Sequence, residues 1–261
     1  MFYPTAYVAF IDILGFSDLI EKSAEDRSLF EFLRSLLPEL RESSGPLLRG
    51  LGLDGEVAAA ADHALEITAF SDSIVISSTY EPGGAVLVPE IAALFAFRLL
   101  SRGILVRGAI ERGSLYHEQG VVFGPALVNA VRAEQSVAIY PRVILLPEAR
   151  RTFAKFAGPP LLTSLPRQDN DGQWFLHFLQ PQFAALVNRY DYRRLGGDVA
   201  EYAYTDREEE VRAFGLVRDS LLKKLSREQR ASIRPKLHWL ATYFNSATAH
   251  VQEVEPIPLP E

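Results

Sequence analysis

Short runs rich in β-branched and aromatic residues alternate with longer segments of three- and four-residue apolar spacing over the first 150 residues, and their order restricts the fold more than any other feature. Tyr7 to Leu14 reads as a buried strand ending at Gly15. Ser17 is placed to cap a following helix, whose face is Leu29, Leu33, Leu36, Leu37 and Leu40 and whose pattern breaks at Gly45-Pro46. Ser43 to Gly55 reads as loop. Leu65 to Phe70 and Ser73 to Ser78 read as strands around Ser71-Asp72, a tight turn without glycine. After Pro82-Gly83-Gly84, Ile91, Leu94, Phe95 and Leu99 share a helix face that Gly103 stops. A strand at Ile104 to Ile110, a helix from Gly124-Pro125 to Gln135, a strand at Val143 to Leu146 and a helix at Pro147 to Phe156 follow. This order predicts an α+β fold with a ferredoxin-like βαββαβ core rather than a doubly wound parallel sheet.

At roughly 150 residues per domain, 261 residues make one large domain or a core with an extension. The pattern divides as a core over 1–157 and a helical C-terminal extension over 158–261. In the extension, Pro159, Pro160, Pro166 and Asp169-Asn170-Asp171-Gly172 form an irregular bridge to a strand at Trp174 to Leu179. Val211, Phe214, Val217, Leu221 and Leu225 then mark one helix, and Ile233, Leu237, Leu240 and Phe244 a second. Glu253 to Glu261, with three prolines, reads as an extended, poorly ordered tail.

A composition 48% hydrophobic and 23% charged supports a packed core and excludes disorder over most of the length. The net charge of −6 argues against nucleic-acid wrapping, and no nucleic-acid partner is expected. With no cysteine, disulfides, thiolate catalysis and cysteine-bound zinc are excluded, and a cytoplasmic location is expected. Met1 to Phe16 lacks a basic n-region, and no uncharged apolar run reaches 18 residues, so neither a secretory signal nor a membrane partner is expected.

Two aspartates stand in apolar strand surroundings, Asp12 in Phe10-Ile11-Asp12-Ile13-Leu14-Gly15-Phe16 and Asp72 in Phe70-Ser71-Asp72-Ser73-Ile74. An unpaired carboxylate there costs several kcal/mol, so a cation should compensate. If the first strand lies beside the hairpin, the two carboxylates converge and suit one or two hard divalent cations. The alternative is that one caps the next helix and the other makes an Asx turn. Gly15 is suited to bring backbone near a phosphate at a helix N-terminus, or serves the turn alone. Arg132, among Leu127, Val128 and Val131, is either a functional cation or a snorkelling surface arginine.

In this order, Phe10-x-Asp12-Ile13-x-Gly15-Phe16, the hairpin Asp72, Arg107-x-x-Ile110-x-x-Gly113 and the segment Gly124 to Glu134 resemble class III nucleotidyl cyclases over residues 6–150. The resemblance implies that Asp12 and Asp72 bind two divalent cations, Mn²⁺ or Mg²⁺, with the Ile13 carbonyl as a further ligand. It also implies that Arg132 stabilises charge on the α-phosphate during attack by the ribose 3′-hydroxyl. Ile13, Leu14, Gly15 and Phe16 fall on the nucleotide-binding turn. The active sites of such enzymes are composite, so a homodimer is implied.

Departures are equally informative. Counting back from Arg132, the ribose-binding Asn position holds Val128, with Asn129 one residue away, and the two positions that select adenine hold Thr68 and Val121. A purine reader has therefore lost its polar handles. Ile11 to Ser17, Phe70 to Ser73, Arg107 to Ile110 and Tyr140 to Val143 are similar to the pyrimidine cyclases of bacterial Pycsar anti-phage systems. This resemblance implies conversion of UTP, favoured over CTP, to a 3′,5′-cyclic monophosphate that signals to a separate effector. The alternatives are a purine cyclase with a rebuilt base pocket and a non-catalytic nucleotide-binding homologue.

Other signals carry less. Gly50 to Gly55 matches G-x-G-x-x-G but follows a loop instead of a strand. The five histidines lack metal-ligand spacing, Asp206 to Glu210 reads as a solvated helix start, and Trp174 and Trp239 as packing residues.

Overall fold

The computed structural model describes residues 2–50, 55–79, 81, 83–156, 165–183 and 207–259, with the side chains of 43–50 and 55–58 set aside. They form two compact units: residues up to Ala93 with Val106–Ala138 and Arg142–His177, and Leu94–Leu105 with Ile139–Pro141 and Phe178 onward.

The first unit is built on a sheet of seven strands. These are β1 (Thr5–Leu14), β2 (Leu65–Phe70), β3 (Ser73–Ser78), β4 (Leu105–Ser114), β7 (Val143–Leu145), β8 (Pro166–Gln168) and β9 (Trp174–Leu176), in the order β2-β3-β1-β4-β7-β9-β8. The segment β2-β3-β1-β4 is the strand order of the ferredoxin-like βαββαβ core, with β3 antiparallel to both β1 and β2. β7 adds parallel to β4, and the β8–β9 hairpin pairs onto β7, so this sheet extends past residue 158. The expected strand from Trp174 stops at Leu176 instead of Leu179.

Register fixes which side chains share a face. Asp12 pairs with Ser73, Phe10 with Val75 and Val8 with Ser77, while across β3 these pair with Phe70, Thr68 and Glu66. Directly opposed residues point to one side, so Asp12, Thr68 and Ser77 lie on the same sheet face. The other face carries Tyr7 and Ser78, against which the start of helix α4 (Gly84–Ser101) packs at Gly84. Helix α5 (Pro125–Ser136) packs on β1. β1 and β4 approach so closely that a Cβ at Gly108 would collide with the Phe10 carbonyl and the Ile11 Cα.

Several local expectations change. The helix after β1 is two: α1 (Phe16–Ser23), whose N-cap is Gly15 in the left-handed conformation at φ 74°, and α2 (Arg27–Gly50). Neither Ser17 nor Asp12 caps α1, and no side chain does. Asp26 accepts the Ser28 and Leu29 N–H groups at the start of α2. α2 continues through Gly45-Pro46 to Gly50, because a proline deletes one ladder hydrogen bond without reversing the chain. A further helix, α3 (Gly55–His63), stands after the segment read as loop, and the interior of the G-x-G-x-x-G match, 51–54, lies outside the described residues. The Ser71-Asp72 turn closes in two residues because Ser71 itself adopts φ 56°. β4 runs to Ser114, and an unanticipated hairpin follows it, β5 (Tyr116–Glu118) with β6 (Val121–Phe123).

α4 is buried on every side rather than on the one face its spacing suggested. Its length and hydropathy would suffice to cross a membrane, and all of that stretch is buried. Helix α6 (Pro147–Phe156) closes the predicted run of elements.

In the second unit, helices α7 (Arg207–Arg227) and α8 (Arg234–Thr248) bury Phe214, Val217, Leu221, Leu237, Leu240 and Phe244, as the spacing predicts. Asp206 lies outside the described residues. Glu210 is not a solvated residue of the helix start: it is buried and pairs with Arg207 and His250. The C-terminal tail is also anchored rather than loose. Val251, Val254 and Ile257 are buried, and the Asn245 side chain donates to the Ile257 carbonyl (2.9 Å) and accepts its N–H (2.7 Å). This strap begins with a turn closed by the Val254 N–H on the Val251 carbonyl (3.0 Å), and its apolar side chains are buried despite Pro256 between them.

Candidate active site

Asp12 sits near the end of β1 and Asp72 in the β2–β3 turn, joined at the backbone because the Ile13 N–H donates to the Asp72 carbonyl at 2.8 Å. The structure therefore brings Asp12, Ile13 and Asp72 together at neighbouring strand ends. The Arg107 guanidinium reaches them from β4, held beside Asp12 by the close β1–β4 approach at Gly108. Its Nε lies 3.6 Å from Asp12 Oδ2 and in ion-pair contact with Glu134 Oε1, a carboxylate from α5 whose side chain is 3% exposed. The contact between Arg107 and Glu134 is ionic, with the N–H not aligned for a hydrogen bond.

The electrostatics are those of a cation-deficient site. Burial pushes the Asp12 carboxyl above its usual range; Arg107 opposes this and the like charge of Asp72 adds to it. Burial likewise raises Glu134, with Arg107 opposing and Asp12 and Asp72 reinforcing. Arg107 thus contacts two of these carboxylates, and Asp72 adds a third negative charge beside them. Among the described residues no group of three His, Cys, Asp or Glu side chains is arranged to hold a metal ion. Two carboxylates and a carbonyl nonetheless suit a hard divalent cation that takes its remaining oxygens from a bound phosphate, as Mg²⁺ commonly does.

Leu14, Gly15 and Phe16 form the turn into α1. A Cβ at Gly15 would meet nothing within 4 Å, so its glycine serves the left-handed φ and not a close approach within this chain.

Arg132 is elsewhere. Ala126, Ala130, Ala133 and Glu134 form the buried face of α5, and at 3.6 residues per turn Arg132 projects from the opposite side. It is exposed and has no ion-pair partner among the described residues. Val128, one turn earlier, shares that outward side, and Asn129 beside it is exposed as well. Within one chain Arg132 does not meet Asp12 and Asp72.

Thr68 lies on the Asp12 face, and its hydroxyl is 2.9 Å from His117 Nε2. Val121 does not join it: on the β5–β6 hairpin His117 faces inward with Val122, while Val121 pairs with Glu118 on the outer side and is 54% exposed. Arg107, Glu134 and His117 carried no role in the sequence reading. Glu134 had a signal, an acid one residue beyond a small apolar helix face, but its partner is 27 residues away on a strand.

No family model and no curated protein matches the chain. Solved structures similar at low identity include the guanylyl cyclase Cya2 (11% identity, TM-score 0.34, 66% of this chain and 91% of that one) and a class III adenylyl cyclase-like ATP-binding protein from Pseudomonas aeruginosa (10%, TM-score 0.33, 96% and 70%).

Proposed function

We propose that this protein is a nucleotidyl cyclase that converts a pyrimidine nucleoside triphosphate, UTP in preference to CTP, to its 3′,5′-cyclic monophosphate and diphosphate. The observation that carries the reading is the meeting of Asp12 and Asp72 at neighbouring strand ends of a βαββαβ sheet, where one guanidinium, Arg107, is shared between Asp12 and Glu134. The ordered motifs that resemble class III cyclases support it.

Asp12, Asp72 and the Ile13 carbonyl would hold two divalent cations, Mn²⁺ or Mg²⁺, which supply charge neutralisation of the triphosphate and a more acidic 3′-hydroxyl. Glu134 holds Arg107 beside Asp12 and keeps that guanidinium from saturating the aspartates. In the reaction the 3′-hydroxyl gives its proton to solvent and its oxygen bonds the α-phosphorus as the bond to the diphosphate oxygen breaks, with no covalent bond to the protein. Because Arg132 faces outward, the charge developing on the α-phosphate is met by Arg132 of the partner subunit in a homodimer with two composite sites. The product, made in the cytoplasm, acts on a separate effector in anti-phage defence.

Complementation tests this arrangement. Asp72→Ala and Arg132→Ala should each lose at least about a hundredfold in turnover. Mixing the two variants should restore about one quarter of wild-type activity, since half of randomly paired dimers carry one intact site. An active Arg132→Ala protein, or a mixture as dead as its components, contradicts the composite site.

Val128 at the ribose-binding position, with Asn129 one residue out of register, favours a second reading, a non-catalytic nucleotide-binding homologue lacking a ribose contact. It predicts nucleotide binding with the nucleotide recovered unchanged.

A further inference from the structure

Arg107 Nε stands between two carboxylates with one proton to give. It faces Asp12 Oδ2 at 3.6 Å and contacts Glu134 Oε1, yet neither Nε nor Glu134 Oε1, both buried, has a hydrogen-bond partner among the described residues. Leaving such atoms unpaired costs stability, a cost that a purely structural ion pair avoids. The structural pair in the same unit does avoid it: Arg142 donates to both Asp169 and Asp171, and each of those carboxylates also accepts a backbone N–H. The two acceptors at Arg107 differ from each other. Asp12, its side chain 18% exposed, stands with Asp72 at the strand ends, whereas Glu134 is 3% exposed on the buried face of α5. Only the aspartate side is open to an ion from solvent.

Charge counting decides which contact Arg107 keeps. When ionised, Asp12 and Asp72 together attract the guanidinium from one side and Glu134 from the other. One divalent cation on the aspartates and the Ile13 carbonyl cancels their two charges and sets a like charge beside the guanidinium. The Asp12 contact, the longer of the two, is then the one given up. Glu134 keeps its negative charge, and because water does not reach it to replace a lost partner, it keeps the guanidinium paired.

We infer that Arg107 is a resident counter-ion of Asp12 that is exchanged for a divalent cation, and that Glu134 is the positioning residue that retains Arg107 once Asp12 is taken. This rests on the cation-binding reading of Asp12 and Asp72 above. The exchange swaps one positive charge for another, so Asp12 is at no stage left bare beside Asp72. It also keeps α5, the helix that carries Arg132, tied to β4 throughout.

The test is Mn²⁺ binding to the full-length protein at pH 8 without nucleotide, read from the electron paramagnetic resonance signal of free Mn²⁺. Asp12→Asn should abolish binding. Glu134→Gln should weaken Mn²⁺ at least about tenfold, because Arg107 then has only Asp12 to pair with. Arg107→Met should bind Mn²⁺ at least about threefold more tightly than the wild type. In the Arg107→Met background, Glu134→Gln should cost no more than about twofold. The same large loss in both backgrounds would make Glu134 a mere source of negative charge and overturns the inference. So does an Arg107→Met protein that binds Mn²⁺ more weakly than the wild type, or a wild type that binds none.

A second readout leaves Glu134 intact. In protein labelled with nitrogen-15 arginine, the Nε–H resonance that Arg107→Met removes should shift when Mg²⁺ is added to the wild type and stay in place in Asp12→Asn. A wild-type resonance that ignores Mg²⁺ overturns the exchange. The stated Mn²⁺ pattern in a protein that returns every nucleoside triphosphate unchanged defeats the cyclase reading and leaves this assignment standing. Cyclisation by a protein whose Mn²⁺ affinity is untouched by Glu134→Gln does the reverse.

Discussion

Two arginine–carboxylate clusters in the first unit use the same chemistry to opposite ends. At one, Arg107 contacts Asp12 and Glu134 beside Asp72, and the carboxyls of Asp12 and Glu134 are raised by burial more than one guanidinium lowers them. At the other, Arg142, its side chain 0% exposed, is held by Asp169 and Asp171 at the tip of the β8–β9 hairpin and lies over the Phe175 ring. Burial there pushes Asp171 up, and Arg142 together with the Gln173 N–H more than reverses it, leaving the carboxyl below its usual range. Asp169 and Asp171 also accept the N–H groups of Asn170 and Gln173 within the turn, so their charge is fully used. The saturated cluster is a clamp between β7 and its neighbouring hairpin. The unsaturated one is suited to a further cation and an anionic ligand.

The contrast predicts that removing a carboxylate has opposite consequences at the two sites. The largest effect is on turnover: Asp72→Ala should abolish measurable product while leaving Tm unchanged or higher, because it relieves repulsion at Asp12. A fall in Tm equal to that of a core variant would break the comparison. Next comes Arg142→Leu, which strands two carboxylates and should cost about 3–5 kcal/mol of stability by denaturant titration. Arg107→Leu should cost less and in a pH-dependent way. With its guanidinium gone, Asp12 and Glu134 titrate still higher in the folded state, which then binds more protons than the unfolded chain. Its stability loss should therefore be smaller at pH 5 than at pH 8.

Glu90 shares this sign and must be separated from it. Buried in α4, its carboxyl is pushed up by desolvation from 4.5 to about 8, so the folded state holds the extra proton across that window and stability declines as pH rises through it. Glu90→Gln should flatten the slope and raise Tm at pH 8 by at least about 3 °C. An unchanged slope would show that Glu90 is ionised with a partner. In the Glu90→Gln background the pH dependence of Arg107→Leu should stand alone.

The strand order was legible because each strand is a short apolar run bounded by breakers, and Asp12 and Asp72 were legible because a carboxylate inside such a run is costly. Ion pairing was not legible. Arg107 and Glu134 belong to a strand and a helix, and only the approach of β1 to β4 at Gly108 brings Arg107 beside Asp12. The same is true of His117, whose place depends on three-residue strands too short to show alternation. Local rules misled where tertiary contacts outweighed them, as in the strap from Val251 to Ile257.

The most direct measurement is incubation of the purified protein with each of the four ribonucleoside triphosphates and Mn²⁺, with products resolved by chromatography and mass detection. A single cyclic pyrimidine monophosphate released with diphosphate, from UTP foremost, is the predicted result. All four nucleotides recovered unchanged beside an active cyclase control would contradict it.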